Sequence, residues 1–388
     1  MNDRIARVEP FVLTIPRETP YLGALRPGEE ANAKGYFVRR GNRTVYPSFD
    51  RNVLVRITTE QGVVGWGETY GLVAPRATME IISDLLAAFV IGREALDASV
   101  IHDDLYGLMR VRGYTGGFYL DALAAVDIAL WDIAAQSLGV PLCKLLGGRR
   151  RAQIPAYLSG LPKPHRSARA EFAVEWQSQG FNAFKFASPV ADDGVVREIA
   201  TLRERLGADA KIACDMHWAQ KAADAKAMIR AMEPYGLWFA EAPVAPEDID
   251  GLADVAAGVS TPVAAGEEWR TAWDAEARLA RRACAILQPE MGHKGVTEFM
   301  RIATLAQAHH VDIIPHATIG IGIFLAASLH ASAAAANVTC HEFQHSIVEP
   351  NRRFLDGEIL CRAGLYTVPE GAGLGVRPSQ EALNRMEQ

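Results

Sequence analysis

From residue 152 onward the chain repeats one unit eight times, a short apolar run followed by a stretch with helical spacing. The runs are Ile154–Leu158, Ala183–Ala187, Lys211–Met216, Leu237–Ala240, Pro262–Ala265, Ala285–Leu287, Val311–Ile314 and Val338–Phe343. Strands that alternate with helices pair in parallel through crossovers, and eight such units argue for a closed barrel. The expected fold is therefore α/β, a (β/α)7β TIM-like barrel over residues 141–350. Around it we expect an α+β capping domain made from both chain ends, residues 1–140 and a returning segment 351–388.

The N-terminal part reads differently. Arg7–Ile15 and Asn52–Thr58 alternate like two antiparallel strands, and Gln61–Gly62 turns the chain into Val63–Glu68. Asp121–Leu138 carries apolar residues at helical spacing until Gly139 and Pro141 stop it. Between the first two strands lies a loop, residues 16–50, rich in Gly, Pro and Arg. A loop of that length is usually a lid, a binding element or disorder.

Composition narrows the function classes. Lys and Arg number 40 against 46 Asp and Glu, a net charge of −6 that argues against a nucleic-acid partner. The five cysteines are scattered without a CxxC pair, which suits neither a zinc knuckle nor a disulfide framework and fits a reducing cytoplasm. The apolar run Phe11–Ile15 is too short for a signal peptide and ends at Pro16. The stretch from Ile319 to Ala336 approaches membrane-spanning length, but it contains Ser328, His330 and Ser332. It reads as a buried helix, with no membrane partner expected.

Chemistry concentrates at the ends of the barrel strands. Strand three ends Cys214-Asp215-Met216-His217, strand four Ala240-Glu241, strand five Gly266-Glu267 and strand seven Pro315-His316. Residues at strand C-termini face the active site in this architecture. Asp215, Glu241 and Glu267 are spaced 26 residues apart, one β/α unit each, so the carboxylates should converge. Converging carboxylates repel unless a cation neutralises them, and hard oxygen ligands suit Mg2+. A single such acid could as well cap a helix; three in equal spacing make that less economical. Asp215 and His217 are two apart, so on a strand they share a face. His316 enters from across the barrel. A lone histidine is more often structural, but the tie of His217 to Asp215 favours a functional role for it; His316 is either catalytic or bonded to a helix N-terminus.

At these residues the chain resembles the enolase superfamily, in its mandelate racemase-like branch. The likeness runs through Gly62–Glu68, Ala124–Asp132, Leu145–Gly148, Gly180–Lys185 and the strand-end acids. Within the branch it looks most like galactonate- and mannonate-type acid-sugar dehydratases, which share Asp-x-His on strand three. The resemblance implies Asp215, Glu241 and Glu267 as Mg2+ ligands and His217 as the acid that expels a hydroxyl. It further implies His316 as base with Glu290 as its partner, Lys185 as a catalytic donor and Glu342 beside the substrate carboxylate. Two departures stand out. Many relatives carry Lys-x-Lys on strand two where this chain has Lys185-Phe186-Ala187, and the partner of the base is usually Asp where this chain has Glu290.

The chemistry needs these groups. An α-proton next to a carboxylate is too weakly acidic for an unaided histidine, and its removal leaves an enediolate. Mg2+ on the carboxylate stabilises that charge, and Lys185 with a neutral Glu342 could add donors. His316 must be neutral and His217 protonated. The leading expectation is a dehydratase converting a sugar acid, aldonate or aldarate, to a 2-keto-3-deoxy acid. The alternatives are an epimerase, racemase or lactone cycloisomerase using the same enediolate, and a non-catalytic member of the fold. Arg26 and Arg43 in the lid, with Lys34, Arg39 and Arg40, are either solvated surface charge or groups that bind a distal carboxylate. A homo-oligomer with a small-molecule substrate is the expected assembly.

Overall fold

The computed structural model describes residues 3–40, 43–317 and 320–388. Eight parallel strands pair in sequence order: Gln153–Ser159, Ala183–Ala187, Lys211–Asp215, Leu237–Glu241, Val263–Ala265, Ile286–Leu287, Asp312–Ile313 and His341–Phe343. The last pairs with the first through Glu342 and Tyr157, and Ile313 bridges to Val338, which closes the barrel. We number these barrel strands one to eight. A helix follows each of the first seven, from Arg166–Ser178 to Ile323–Ala334.

Inward-facing residues of the strands fill the barrel. Tyr157, Ala213, Phe239, Ala264, Ile286, Ile314 and Cys340 form one buried cluster, so the interior is a packed plug and chemistry is confined to its ends. The helix Ile323–Ala334 is buried along its length, as expected of the apolar segment that begins at Ile319, although Ile319 lies outside the described residues. Among the described residues no helix is long and apolar enough to cross a membrane.

The cap is a three-stranded antiparallel sheet of Ile5–Pro16, Phe49–Thr59 and Val64–Tyr70 against the helix Gly117–Ser137. Gly67 permits this contact, because a Cβ there would collide with the carbonyl of Ala125. Three buried aspartates of that helix fasten the cap to the rest. Asp121 pairs with Arg270 and His293, Asp127 accepts from Thr297, and Asp132 accepts from the Trp66 and Leu374 amides. Glu68 crosses the same junction to accept the amides of Ile321, Ile323 and Phe324 at the start of the Ile323–Ala334 helix, where the helix dipole favours an anion.

The C-terminal segment divides between the two parts. Glu387 bridges to Val12 in the cap, whereas the hairpin Leu360–Arg362 and Leu365–Thr367 pairs with barrel strand one. The loop after Pro16 carries a small hairpin of its own, Tyr36–Val38 with Val45–Pro47. Its frame is the buried ion pair Arg39–Glu29 at 2.6 Å, with Arg39 also donating to the carbonyls of Tyr21, Gly23 and Ala24.

Candidate active site

A cavity of about 440 Å³ lies at the C-terminal ends of the barrel strands, roofed by Tyr21, Leu22 and Thr44–Tyr46 of the lid. Strand two delivers Lys185, strand three Asp215, and Glu267 stands two residues beyond strand five. His316 and Glu342 complete the ring from strands seven and eight.

Asp215 and Glu241 are register partners on adjacent strands, and Glu241 pairs in turn with Ala264. The side chains, however, turn to basic groups within the protein. Asp215 accepts from the His217 backbone amide at 2.9 Å and lies 3.0 Å from its Nε2. Glu241 accepts from Lys185 Nζ at 2.6 Å and from Gln288 at 2.6 Å. Glu267 lies 3.0 Å from His316 Nε2. Among the described residues no three His, Cys, Asp or Glu groups gather into a metal cluster. The expected convergence is thus of strand ends, with each acid turned to a basic side chain of the protein.

The balance of charge still points to a cation. Burial pushes the Glu267 carboxyl well up, with Glu241 and Asp215 adding to the rise, and burial also pushes Glu241 up. Asp215 goes the other way, to about 2, because His217 outweighs its burial. Five carboxylates, Asp215, Glu241, Glu267, Glu290 and Glu342, the first and third of them part-exposed, share the basic groups Lys185, His217 and His316. Oxygen-only donors short of positive charge are the set that a hard divalent ion completes.

The two histidines are held differently. Strand three ends at Asp215, so strand alternation does not place His217. It and Trp218 adopt left-handed backbone, φ 51° and 54°, a conformation uncommon outside glycine that turns the imidazole back onto Asp215. His316 donates or accepts at both ring nitrogens: Nδ1 meets Glu290 at 2.8 Å, and Nε2 faces Glu267 at 3.0 Å and Glu342 at 3.6 Å. Burial lowers its pKa, but Glu267, Glu342 and Glu290 more than offset that and raise it to about 10. Glu290 caps the helix Met291–Ala308, accepting from the Gly292 amide. The longer side chain at this position therefore does reach the histidine.

Glu342 corrects one expectation. Rather than neutral, it is held ionised against its burial by Lys185 at 3.1 Å, by His316, and by hydrogen bonds from Ser159 and the Ala317 amide. The same carboxylates keep Lys185 charged despite its burial.

The lid arginines are not brought to the cavity. Arg26 donates outward to the Pro189 carbonyl at 2.6 Å, and neither it nor Arg43 is in the cavity wall. Arg39 is consumed in the frame of the lid. The guanidinium that does line the cavity is Arg270, neutralised by Asp121. Sequence reading missed Ser159, Gln288, Tyr70 and Gln344. Ser159 and Gln288 end strands one and six or follow directly, where the strand-end rule could have found them. Tyr70 comes from the cap, which no barrel rule addresses. Three buried polar atoms in the wall have no partner among the described residues: Trp218 Nε1, Glu268 Oε2 and Gln344 Oε1. A donor and two acceptors left open suit a ligand rich in hydroxyls.

Comparison with known proteins agrees with this architecture. Residues 45–147 match the family described as mandelate racemase / muconate lactonizing enzyme, N-terminal domain, and residues 168–382 match the enolase C-terminal domain-like family. The D-galactarolactone cycloisomerase of Agrobacterium fabrum is 33% identical over 353 residues, covering 86% of this chain and 91% of that one. The D-galactonate dehydratase of Ralstonia nicotianae is 34% identical over 352 residues, 86% and 90% of the two chains. A crystal structure of a Sinorhizobium meliloti protein, provisionally described as an isomerase, has 69% identity and a TM-score of 0.98 over 99% of this chain and 100% of that one.

Proposed function

From the premise that the chain belongs to the enolase superfamily, in its mandelate racemase-like branch, we propose that it is a Mg2+-dependent dehydratase of a sugar acid. The observation that carries this reading is the pair of histidines, each bound to a carboxylate, on opposite walls of one cavity with Lys185 and Glu342 between them. Asp215, Glu241 and Glu267 would hold the metal, which supplies Lewis-acid stabilisation of the enediolate when bound.

The residues divide the reaction as follows. Lys185, fixed by Glu241 and Glu342, sets a positive charge for the substrate carboxylate. Glu267, turned to His316, keeps that ring protonated; with Glu267 engaged on a cation instead, the hold would be gone, and the freed Nε2, the nitrogen facing the cavity, would take the α-proton while Glu290 at Nδ1 steadies the imidazolium. The electron pair left on the α-carbon expels the β-hydroxyl as His217 gives it a proton, so water leaves. The resulting enol tautomerises to a 2-keto-3-deoxy acid. The lid excludes bulk water, which strengthens each of these interactions.

A second reading is favoured by the relatives named as isomerases: the same α-proton chemistry ending in lactone cycloisomerisation or epimerisation. A panel of mono- and diacid sugars with Mg2+ in D2O separates the two. Keto-acid formation supports the dehydratase; α-deuterium incorporation or ring opening without keto acid supports the isomerase. No reaction with any acid sugar sinks both. The reading includes a cytoplasmic setting, supported by five free cysteines, and a homo-oligomer, supported by the exposed Val111, Tyr114 and Trp273.

A further inference from the structure

A second cavity, of about 540 Å³, adjoins the first behind the start of the lid. The two share Tyr21, Leu22, Gly160, Ala187 and Gln344 in their walls. These five make a neck. Gly160 has φ +79°, and a Cβ there would stand 3.2 Å from Gln344 Oε1. Ala187 presents only a methyl group. On the other side Leu22 holds a left-handed turn, φ 63°, that sets Tyr21 beside Gln344, its hydroxyl 3.5 Å from Nε2. Tyr21 is braced from behind by stacking on Tyr46 at 5.4 Å.

Gln344 is 8% exposed, and its Oε1 has no partner among the described residues. A buried amide oxygen without a partner is unfavourable, and a ligand O–H would satisfy it. Among the described residues, two of the three Lys and Arg side chains that line the second cavity face carboxylates. Arg17 is paired with Asp50 at 2.8 Å, Arg353 lies 3.9 Å from Glu381, and Lys163 lies over the Phe172 ring. Its volume falls in the range of ordinary small-ligand sites.

We propose that this second cavity is a subsite for the distal, hydroxyl-bearing part of an extended acid, such as an aldonic acid carrying a further sugar unit, which passes Tyr21 and Gln344 while its carboxylate sits by Lys185. This rests on the acid-sugar reading of the first cavity. Gln344 accepts a hydroxyl of the distal unit, and Tyr21 presents its ring to the sugar at the neck.

The test is calorimetric titration, in Mg2+, of gluconate against its 4-O-glycosylated forms lactobionate and maltobionate, with galactarate as the diacid. Ser346 and Val190 line only the second cavity, and Ser346→Trp and Val190→Trp fill it from different walls. The expected result is at least tenfold tighter binding of a glycosylated acid than of gluconate, lost in both variants, with gluconate affinity unchanged within twofold. Equal affinity for gluconate and its glycosylated forms overturns the proposal, as does an advantage that survives both tryptophans. A preference for galactarate with no gain from the added sugar also overturns it. If the advantage and its loss are seen but no acid exchanges its α-proton with D2O, the subsite stands and the acid-sugar turnover reading falls.

Discussion

The Tyr70 hydroxyl and the His316 imidazole meet on one oxygen of Glu290, each at 2.8 Å from Oε2. Tyr70 ends the last strand of the cap, and Glu290 follows barrel strand six, so the cap takes part in placing the proposed base. Tyr70 also stacks on His293 at 4.2 Å, and His293 is held by Asp121. The hydroxyl thus fixes the carboxylate that fixes the imidazole, which makes Tyr70 a positioning residue. Tyr70→Phe keeps the stacking and removes the bond. A hydrogen bond to a charged group contributes roughly 1.5–3 kcal/mol, so kcat should fall about tenfold or more with KM nearly constant. A KM change at constant kcat would mean that Tyr70 serves binding instead.

Metal removal tests the carboxylate set. Glu241→Gln and Glu267→Gln should each weaken Mg2+ binding and abolish turnover, since each removes an anionic oxygen donor. Calorimetry of Mg2+ on the parent and variants is the measurement. Full activity in excess chelator, with metal shown to be absent, would exclude the metal role.

The histidines should separate by experiment. His316→Asn should lose both α-proton exchange and dehydration, because Nε2 is the proton acceptor. His217→Asn should lose dehydration yet retain exchange, because His217 acts on the leaving hydroxyl. One positioned acid or base contributes roughly a hundred- to ten-thousand-fold, so NMR in D2O will show either loss. The reverse pattern would exchange their roles.

How much of this the sequence carried depends on the residue. The barrel was legible because each strand is a local apolar run and its order follows the chain. Asp215, Glu241, Glu267 and His316 were legible because strand ends and one-unit spacing are themselves sequence properties. What spacing could not carry is side-chain direction. His217 is aimed by a left-handed turn after the strand, and Arg39 and Arg26 are spent on backbone carbonyls within and beside the lid. The contacts of Tyr70 and Gln344 join positions more than two hundred residues apart. Periodicity reports which face a residue takes on its own element, not which distant element it meets.

The lid gives a prediction separable from catalysis. Arg39–Glu29 is buried and holds the turn that carries Tyr21. Removing one partner of such a pair costs about 3–5 kcal/mol, here within a peripheral segment rather than in the barrel core. Arg39→Met should therefore raise KM at least fivefold while the main thermal transition moves little. A large fall in Tm with unchanged KM would make the pair part of the global fold instead.

Acid stability follows from histidines that catalysis does not use. His330 accepts from the Cys143 amide at Nδ1 and lies 3.2 Å from the Leu374 carbonyl at Nε2, so it fits its site as a neutral ring. Burial lowers it to about 4, and His341 and His345 are lowered to about 4 by the same cause. An unfolded histidine titrates near 6.5. The folded pKa is depressed, so the contribution is whole above about 6.5 and is lost as pH falls toward 4, where the unfolded chain binds protons that the folded chain refuses. Each such histidine accounts for roughly 3 kcal/mol across that window at about 1.4 kcal/mol per unit. Calorimetric Tm should fall steeply between pH 6.5 and 4. His330→Asn should be less stable than the parent at pH 7, with the gap narrowing on acidification because one proton-refusing site is gone. A gap that stays constant from pH 7 to 4.5 would show that His330 takes up its proton equally in both states.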